Sequence, residues 1–366
     1  MLKKPEQATA NIANNSAHAR IAKLDNVKFL LIMSVVIGHF CDPYARYSSF
    51  LDSVRILRLF LDMPAFIFIS GLFCKKLYSK YSPAQPSPAQ PRNAIPFHKI
   101  LPYFNLFLVT HLLVYVAARL TLYPKFALTL FTFNSIGWFG FAIFIFYIAI
   151  WMLRDIDIKY TMFFALLLAC FEGYDKNMDN FLCLSRMFLL FPFFLAGYAA
   201  PYEKLIAFWE RKELKLFGAA FLIFMIYMVF SHLATFKKFI LFLCWQYPFA
   251  ATGAAAAAFI KPLPWALVRA AHLAVVTLVC LSFFSLVPPK PLFFTQLGRR
   301  TAAIYALHVP VRYLYIYSGV HNYIKSTFGD YWDVVFLLVP IAVTFLLSAK
   351  CFSKIFEPLL KPKLIK

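Results

Sequence analysis

The sequence has little charge for its length, and acidic residues are the scarcest part of it. Only 14% of the 366 residues are charged, whereas a soluble domain of this size carries about 25%. The 16 Asp and Glu residues stand against 37 Lys and Arg residues, which gives a net charge of +21. Low charge excludes an ordinary soluble domain. The basic residues lie between apolar blocks, without a base-stacking or groove-reading motif, which argues against a nucleic-acid-binding protein.

The sequence also lacks the cysteine spacings of a metal or redox site. Its seven cysteines are scattered and lie mostly in apolar runs. No Cys-x-x-Cys or Cys/His metal spacing occurs, so we expect small buried hydrophobic side chains and no metal. A cleavable signal peptide is not expected either, because the first 25 residues are polar and too long for its charged region. The first apolar block therefore reads as a retained anchor.

Long apolar blocks dominate what is present, and hydrophobic residues make up 62% of the chain. Many blocks approach the roughly 20 residues that a helix needs to cross a bilayer. The sequence therefore predicts an all-α, polytopic transmembrane helix bundle. The candidate spans are residues 26–42, 54–74, 100–122, 136–153, 160–171, 181–200, 214–232, 238–260, 264–287, 301–318 and 332–352.

The distribution of Lys and Arg predicts a cytoplasmic N-terminus and a cytoplasmic C-terminus. Both ends on one side require an even number of spans, so we favour ten spans among the eleven blocks and expect 160–171 not to span. Residues 1–25 are then a polar cytoplasmic segment, 26–352 the membrane domain and 353–366 a basic tail. A cytoplasmic loop, 78–99, contains Ser-Pro-Ala-Gln-Pro twice in tandem, which favours an extended spacer or a docking segment.

The first span contains the most informative pair of residues, Lys28 and His39. The residues between them are almost all apolar, and on a helix the two side chains share a face, roughly 16 Å apart along the axis. Asp25 lies close to the same face, but it is roughly 21 Å from His39 and cannot orient it. A carboxylate partner for His39 must then come from another span, and Asp62 is our candidate.

Polar groups inside spans are costly, so each is a candidate for function. The imidazole of His39 can remove a proton from a hydroxyl or carry an acyl group, or it can be a structural histidine bonded to a neighbouring helix. Lys28 can bind an anion or extend to the headgroups. Ser70 lacks the setting of a nucleophile and more simply serves packing or a backbone bend.

An ordered set of motifs resembles the acyltransferase-3 superfamily of integral membrane O-acyltransferases, nearest to its fucose 4-O-acetylase-like branch. The resemblance covers about residues 20–352. Its first motifs are Lys28-x10-His39 and the run from Met63-Pro64 to Ser70-Gly71. The later motifs are His98-Lys99-Ile-Leu101-Pro102-Tyr103, Gly137-Trp138-Phe139, Pro192-Phe193-Phe194-Leu195-Ala-Gly197-Tyr198 and Leu297-Gly298-x-x-Thr301-x-x-Ile304-Tyr305-x-Leu307-His308.

The resemblance implies transfer of an acyl group, usually acetyl, from cytosolic acyl-CoA to a hydroxyl of an envelope glycan or glycolipid. Acyl-CoA is a co-substrate, no resident cofactor or metal is expected, and membrane lipids surround the protein, in a bacterial cytoplasmic membrane. His39 and Asp62 are the expected catalytic residues. The expected donor-binding residues are Lys28, Asp25, Arg20 and Lys99. The expected acceptor-binding residues are Trp138, Tyr305, His308 and Ser70.

Two other functions fit the same sequence. A transporter or flippase of an amphiphilic or polyprenol-linked substrate also needs polar groups in its spans, although no internal repeat relates the two halves. A non-catalytic scaffold could recruit a partner through the Pro-rich loop.

Overall fold

The computed structural model describes residues 4–81, 97–129, 136–178, 181–253, 256–258 and 264–360. For residues 4–21 and 79–81 it describes the backbone alone. The tandem repeat and the side chain of Arg20 therefore lie outside the described part of the chain. Within that part every assigned element is an α-helix or a 3-10 turn. The helices are α1 Lys4–Cys41, α2 Ser49–Leu59, α3 Asp62–Tyr81, α4 Phe97–Leu120, α5 Trp138–Met152, α6 Ile158–Phe171, α7 Leu184–Ala199, α8 Tyr202–Trp209, α9 Lys212–Ser231, α10 Leu233–Lys238, α11 Ile240–Leu243, α12 Trp265–Leu286, α13 Thr301–Ser318, α14 Val320–Phe328, α15 Trp332–Phe336, α16 Leu338–Leu347 and α17 Lys350–Leu360.

Several of these helices are long and apolar enough to cross a membrane. Among the described residues there are 5 such helices, or up to 7 when each of two bent helix pairs is taken as one span. The protein is therefore an all-helical integral membrane protein, as the sequence predicted. The five are Ala22–Cys41, Ser49–Tyr78, Phe97–Leu120, Lys212–Ser231 and Trp265–Leu286.

The structure bears on two of the predicted blocks. Residues 160–171, expected not to span, lie in a helix of 14 residues that packs against α7 and is not among the helices long enough to cross a membrane. Residues 238–260, expected to span, are broken into α11 and the 3-10 turn Phe249–Thr252. Trp245, with φ of 64°, and Pro248 interrupt this segment, because neither backbone continues a helix.

Two glycines allow a close contact between helices α3 and α7. A Cβ atom at Gly71 would overlap the carbonyl oxygen of Phe194, and one at Gly197 would overlap that of Phe68. Small residues are a common device for close helix packing in lipid. This contact holds the helix that begins at Asp62 beside the helix that carries Arg186.

Polar side chains hold the central helix α1 against the loop that precedes α13. The Asn26 amide donates to the carbonyl oxygens of Pro288 and Lys290, both at 3.0 Å, and accepts from the Thr295 hydroxyl at 2.5 Å. Lys23 donates to the Val287 carbonyl at 2.9 Å. These bonds satisfy buried polar groups of α1 and bring the turn Thr295–Arg299 onto its surface.

Candidate functional site

A cavity of about 480 Å³ opens at the His39 end of α1. Its volume is within the range of small-molecule sites. The wall combines aromatic rings with an unusual number of charged groups for a membrane protein: two aspartates and three arginines. The charged and aromatic lining residues are His39, Asp42, Arg58, Asp62, Trp138, Arg186, Trp245, Tyr247, Tyr305, Arg312 and Tyr313.

The carboxylate next to His39 is that of Asp42. Asp42 Oδ2 lies 3.3 Å from His39 Nδ1. Helix α1 ends at Cys41, and residues 42–44 turn, so a residue three positions later reaches back to the imidazole. The expectation that the partner must come from another span was therefore wrong, because it ignored the chain just beyond the helix end.

Asp42 is held in its ionised form by its neighbours. Burial alone would raise the pKa of this carboxyl. The Arg58 guanidinium, together with the contact to His39, outweighs burial and holds the pKa of Asp42 well below its usual range. Arg58 Nη2 lies 3.2 Å from Asp42 Oδ1. Asp42 is therefore a stable negative charge beside the imidazole.

Arg58 connects the two aspartates of the cavity. Besides Asp42, it lies 3.9 Å from Asp62 Oδ2, four residues further along the chain. Its side chain crosses α1 at Gly38, where a Cβ atom would overlap the Arg58 Cδ and Nε atoms. Gly38 therefore opens the path by which Arg58 reaches the site.

Asp62 lines the cavity but does not contact His39. Its Oδ1 accepts a hydrogen bond from the Ser34 hydroxyl at 2.6 Å, and only 1% of the residue is exposed. Asp62 is therefore linked to α1 by the Ser34 hydroxyl and to Asp42 by Arg58, and not by a contact with His39. Asp62 lines the same cavity as His39, but the contact with His39 that we expected of Asp62 is made by Asp42.

Helix α13 closes the other side of His39. Arg312 Nη1 donates to the backbone carbonyl of His39 at 3.0 Å and lies 4.0 Å from Asp42 Oδ2. The His308 ring packs on the His39 ring with 5.2 Å between centroids. His308 Nδ1 lies 2.8 Å from the Tyr305 carbonyl, and the residue is fully buried. His308 therefore backs the imidazole instead of lining the cavity, unlike its expected acceptor-binding position.

Trp138 and Tyr305, both predicted from the motifs, line the cavity with His39. They are largely buried, with 9% and 6% of their surfaces exposed. The Tyr305 hydroxyl donates to the backbone carbonyl of Ile136, next to the start of α5. The Arg186 guanidinium lies over the Trp138 ring, 4.8 Å from its centroid.

A second, smaller cavity of about 170 Å³ lies beside Lys28. Lys28 is near the start of the membrane-spanning part of α1, Ala22–Cys41, and we call this the Lys28 end. Lys28 Nζ lies 2.7 Å from Asp25 Oδ1, and Asp25 Oδ2 accepts from Arg299 Nε at 2.8 Å. Asp25 is thus a bridge between two cations. Ser70 lines this cavity and not the one at His39, and its hydroxyl donates to the Phe66 carbonyl at 2.9 Å.

The two cavities meet at shared walls. Met63 and Tyr305 line both of them. Lys28 and His39 stand on one uninterrupted helix, so the distance between them along its axis is the expected roughly 16 Å. A long, narrow substrate that lies along this face of α1 would touch a cation at one end and the imidazole at the other.

Other predicted donor residues are not brought to this site. Lys99 is exposed near the start of α4 and lines neither cavity. In the described part of the chain, no three His, Cys, Asp or Glu side chains come together as a metal site would require.

Five charged residues were missed by sequence reasoning. Asp42 could have been found from its spacing of three from His39, and Arg58 from its spacing of four from Asp62. Arg186, Arg299 and Arg312 come from distant segments, and no spacing in the sequence indicates their positions.

The arrangement suits proton removal from a hydroxyl. If His39 Nδ1 carries a proton toward Asp42, then Nε2 is the basic nitrogen of a neutral imidazole. Once the ring gains a second proton, the nearby Asp42 carboxylate stabilises the imidazolium. Arg58 and Arg312 supply positive charge in the same cavity, where an oxyanion would be stabilised.

Comparison with known proteins bears on the same residues. The model of a protein family, described as an acyltransferase domain of the acyltransferase-3 superfamily, matches residues 21–349. No curated protein and no solved structure matches the chain. The matched region contains both cavities and every residue of the His39 site.

Proposed function

The chain belongs to this acyltransferase family, and we propose that it transfers an acetyl group from cytosolic acetyl-CoA to a hydroxyl of a cell-envelope glycan or glycolipid. One observation carries the proposal. The cavity of His39 and Asp42 adjoins the cavity of Lys28 through the shared residues Met63 and Tyr305. A donor with a phosphate-bearing end and a remote reactive carbonyl fits two adjoining cavities of this kind.

The donor occupies the Lys28 side. Lys28 and Arg299 are cations held by one carboxylate, that of Asp25, and 55% of the Arg299 side chain is exposed. They would bind the phosphates of acyl-CoA, because charge-assisted hydrogen bonds from Lys and Arg are the usual means of phosphate binding. The pantetheine arm then runs along α1 between Ser70 and Phe139 and presents the thioester to His39.

The acceptor occupies the larger cavity. Trp138 lines this cavity with the Arg186 guanidinium over its ring, and Tyr305 stands where the two cavities meet, so both would contact a sugar bound there. The acceptor hydroxyl then lies between the imidazole and the thioester carbon.

His39 acts as the general base of the transfer. Its Nε2 takes the proton from the acceptor hydroxyl while the oxygen attacks the thioester carbonyl carbon. The C–S bond breaks when the tetrahedral intermediate collapses, and the CoA thiolate recovers the proton from the imidazolium. The ester and free CoA leave, and His39 is neutral again. Asp42 stabilises the imidazolium, and His308 positions the ring by packing on it.

We further propose that ten helices cross a bacterial cytoplasmic membrane with both chain ends in the cytoplasm. The Lys28 end of α1 then faces the cytosol, where acyl-CoA is made. The His39 end faces outward, where an envelope glycan is accessible. The positive charge in the first 23 residues of the chain and in the segment that follows α3 supports this orientation.

The test is acyl transfer in isolated membranes. Wild-type protein is supplied with acetyl-CoA labelled in the acetyl group and with extracted envelope glycans, and labelled ester is measured by mass spectrometry. We expect label in the glycan and stoichiometric free CoA. Translocation of the glycan without thioester turnover would instead indicate a transporter.

A further inference from the structure

The three arginines of the His39 cavity differ in what they contact. Arg58 is bound by Asp42 and lies near Asp62. Arg312 donates to the His39 carbonyl and lies near Asp42. Arg186 forms no side-chain hydrogen bond and no ion pair with any described residue, and its buried Nη1 atom has no hydrogen-bond partner. Of the three, only the third guanidinium is thus without a counter-charge from the part of the chain that the structure describes.

Neutral groups lie next to Arg186. Its guanidinium lies on the Trp138 ring, and the ionisable side chains with the largest effect on its charge are Cys183, Cys244, Tyr247 and Tyr305. Thiols and phenols are ordinarily neutral near pH 7. The cavity therefore carries three arginines against two aspartates, and both aspartates already contact Arg58.

Arg186 is half-buried, and its Nη1 atom is fully buried. An uncompensated cation inside a membrane protein is costly, and such residues mark functional sites. Backbone strain next to Arg186 points the same way. Leu182 and Cys183, directly before α7, have φ of 50° and 49°, which non-glycine residues seldom adopt. Cys183, whose backbone lies in the left-handed region, is the N-cap residue of α7. Its conformation therefore fixes where α7 begins and, with it, the position of Arg186.

We propose that Arg186 binds an anionic group, a carboxylate or a phosphate, on the acceptor, so that the substrates of this enzyme are acidic glycans. The inference rests on the proposed function for its site. A guanidinium pairs bidentately with either anion, and the acceptor would then supply the counter-charge that the described residues do not. Because Arg186 and His39 line one cavity, the anion lies on the same sugar unit as the acylated hydroxyl, or on its neighbour.

The first experiment measures binding and does not depend on catalysis. Full-length protein in nanodiscs is titrated with methyl β-D-glucoside and methyl β-D-glucuronide, which differ in a hydroxymethyl against a carboxylate, and with glucose 6-phosphate. Trp138 and Trp245 line the cavity, so tryptophan fluorescence reports occupancy. We expect at least a tenfold lower Kd for one of the two anionic sugars than for the glucoside. Which of the two binds more tightly separates carboxylate from phosphate.

Variants assign that preference to the residue. Arg186→Gln is expected to reduce the ratio to within about twofold, and Arg186→Lys to retain part of it, because a charge remains without the bidentate geometry. Arg154→Gln is the matched control, since Arg154 is exposed, contacts Trp151 and lines neither cavity. It should keep the wild-type ratio.

Equal affinity of the wild type for neutral and anionic sugars would overturn the inference, as would no binding of any of them or an undiminished preference in Arg186→Gln. A second readout, labelled acetyl transfer to the same sugars, separates the two proposals. Equal transfer to neutral and anionic sugars sinks the role of Arg186 and keeps the proposed function. An intact binding preference without transfer to any acceptor sinks the proposed function and keeps the anion site.

Discussion

The surroundings of Lys28 and of His39 on α1 handle charge in different ways. At the Lys28 end, one carboxylate, Asp25, is shared by two cations, and one of these, Arg299, is more than half exposed. At the His39 end, two carboxylates and three guanidinium groups surround the imidazole in a cavity almost three times as large, 480 against 170 Å³.

This difference indicates separate tasks for the two ends. Partly exposed cations such as Lys28 and Arg299 can attract and release an anion, but they do not fix an orientation. A network in which Asp42 pairs with Arg58 and Arg312 beside His39 holds one imidazole in one position. We therefore expect variants at the Lys28 end to change donor affinity and variants at the His39 end to change the rate of the chemical step.

The largest expected effect is that of His39→Ala. Loss of the general base should lower kcat by about 10² to 10⁴-fold, with little change in the KM for acetyl-CoA. The measurement is labelled acetyl transfer in membranes at equal protein level. His232→Ala is the matched control, because His232 is exposed at the end of α9 and lines neither cavity. Full activity of His39→Ala would contradict the mechanism.

Asp42→Asn should have the next largest effect. The side chain keeps its shape and loses the charge that stabilises the imidazolium, so we expect kcat to fall by about 10 to 10²-fold, on the order of 1.4–2.7 kcal/mol. Asp62→Asn, in the same assay, should cost less, because Asp62 does not contact His39. A larger loss for Asp62→Asn than for Asp42→Asn would return the partner role to Asp62.

The contrast between Asp42 and Asp62 shows how far the sequence could lead. The membrane class and the continuous helix from Lys28 to His39 follow from a long apolar run, which needs no tertiary information. The placement of Trp138 and Tyr305 beside His39 came from ordered motifs. Asp42 was missed because the turn after Cys41 decides whether a side chain reaches back, and hydropathy does not indicate that turn.

Other parts of the site depend on contacts between distant segments. Arg312 reaches His39 from 273 residues away, and Arg186 enters because α7 packs on α3 through Gly71 and Gly197. Ser70 lines the Lys28 cavity because it lies two turns along α3 from Asp62. The motif from Met63-Pro64 to Ser70-Gly71 does not indicate that its two ends face different cavities. No spacing rule in one sequence specifies such contacts.

Gly38→Ala tests whether the buried network needs its full geometry. The new methyl group would overlap the Arg58 side chain, so Arg58 must leave its place between Asp42 and Asp62. We expect roughly a tenfold loss of kcat, about 1.4 kcal/mol. A double-mutant cycle with Arg58→Ala is the control. If the glycine acts through Arg58, Gly38→Ala should cost almost nothing in the Arg58→Ala background, and additive losses would contradict that reading.

Lys28→Ala tests the other cavity. We expect the KM for acetyl-CoA to rise by roughly tenfold, the value of one charge-assisted hydrogen bond of about 1.4 kcal/mol, while kcat changes little. The effect should shrink at high salt, because the cavity mouth is accessible to ions. Lys159→Ala, an exposed lysine on α6, is the control. A fall in kcat with unchanged KM would remove the division of tasks between the two ends.

The smallest effect on activity, and a distinct effect on stability, is expected from Glu172→Gln. Glu172 acts electrostatically on Arg269, Arg269 contacts His272 at 3.2 Å, and the His272 ring packs on Trp245 at 4.6 Å, so this cluster supports the outer wall of the His39 cavity. Burial raises the pKa of Glu172 to about 7.

Because the folded pKa of Glu172 is raised, the folded state holds this proton more tightly than the unfolded state does. The associated stability is fully present below about pH 4.5 and is lost as pH rises through about 7, on the order of 3 kcal/mol. In detergent, the Tm of the wild type should therefore fall more steeply than that of Glu172→Gln between about pH 4.5 and 7. Glu213→Gln, an exposed glutamate on α9, should keep the wild-type slope. Parallel slopes for wild type and Glu172→Gln would show that this wall of the His39 cavity does not take up the proton, and that the pH response of the protein has its origin elsewhere.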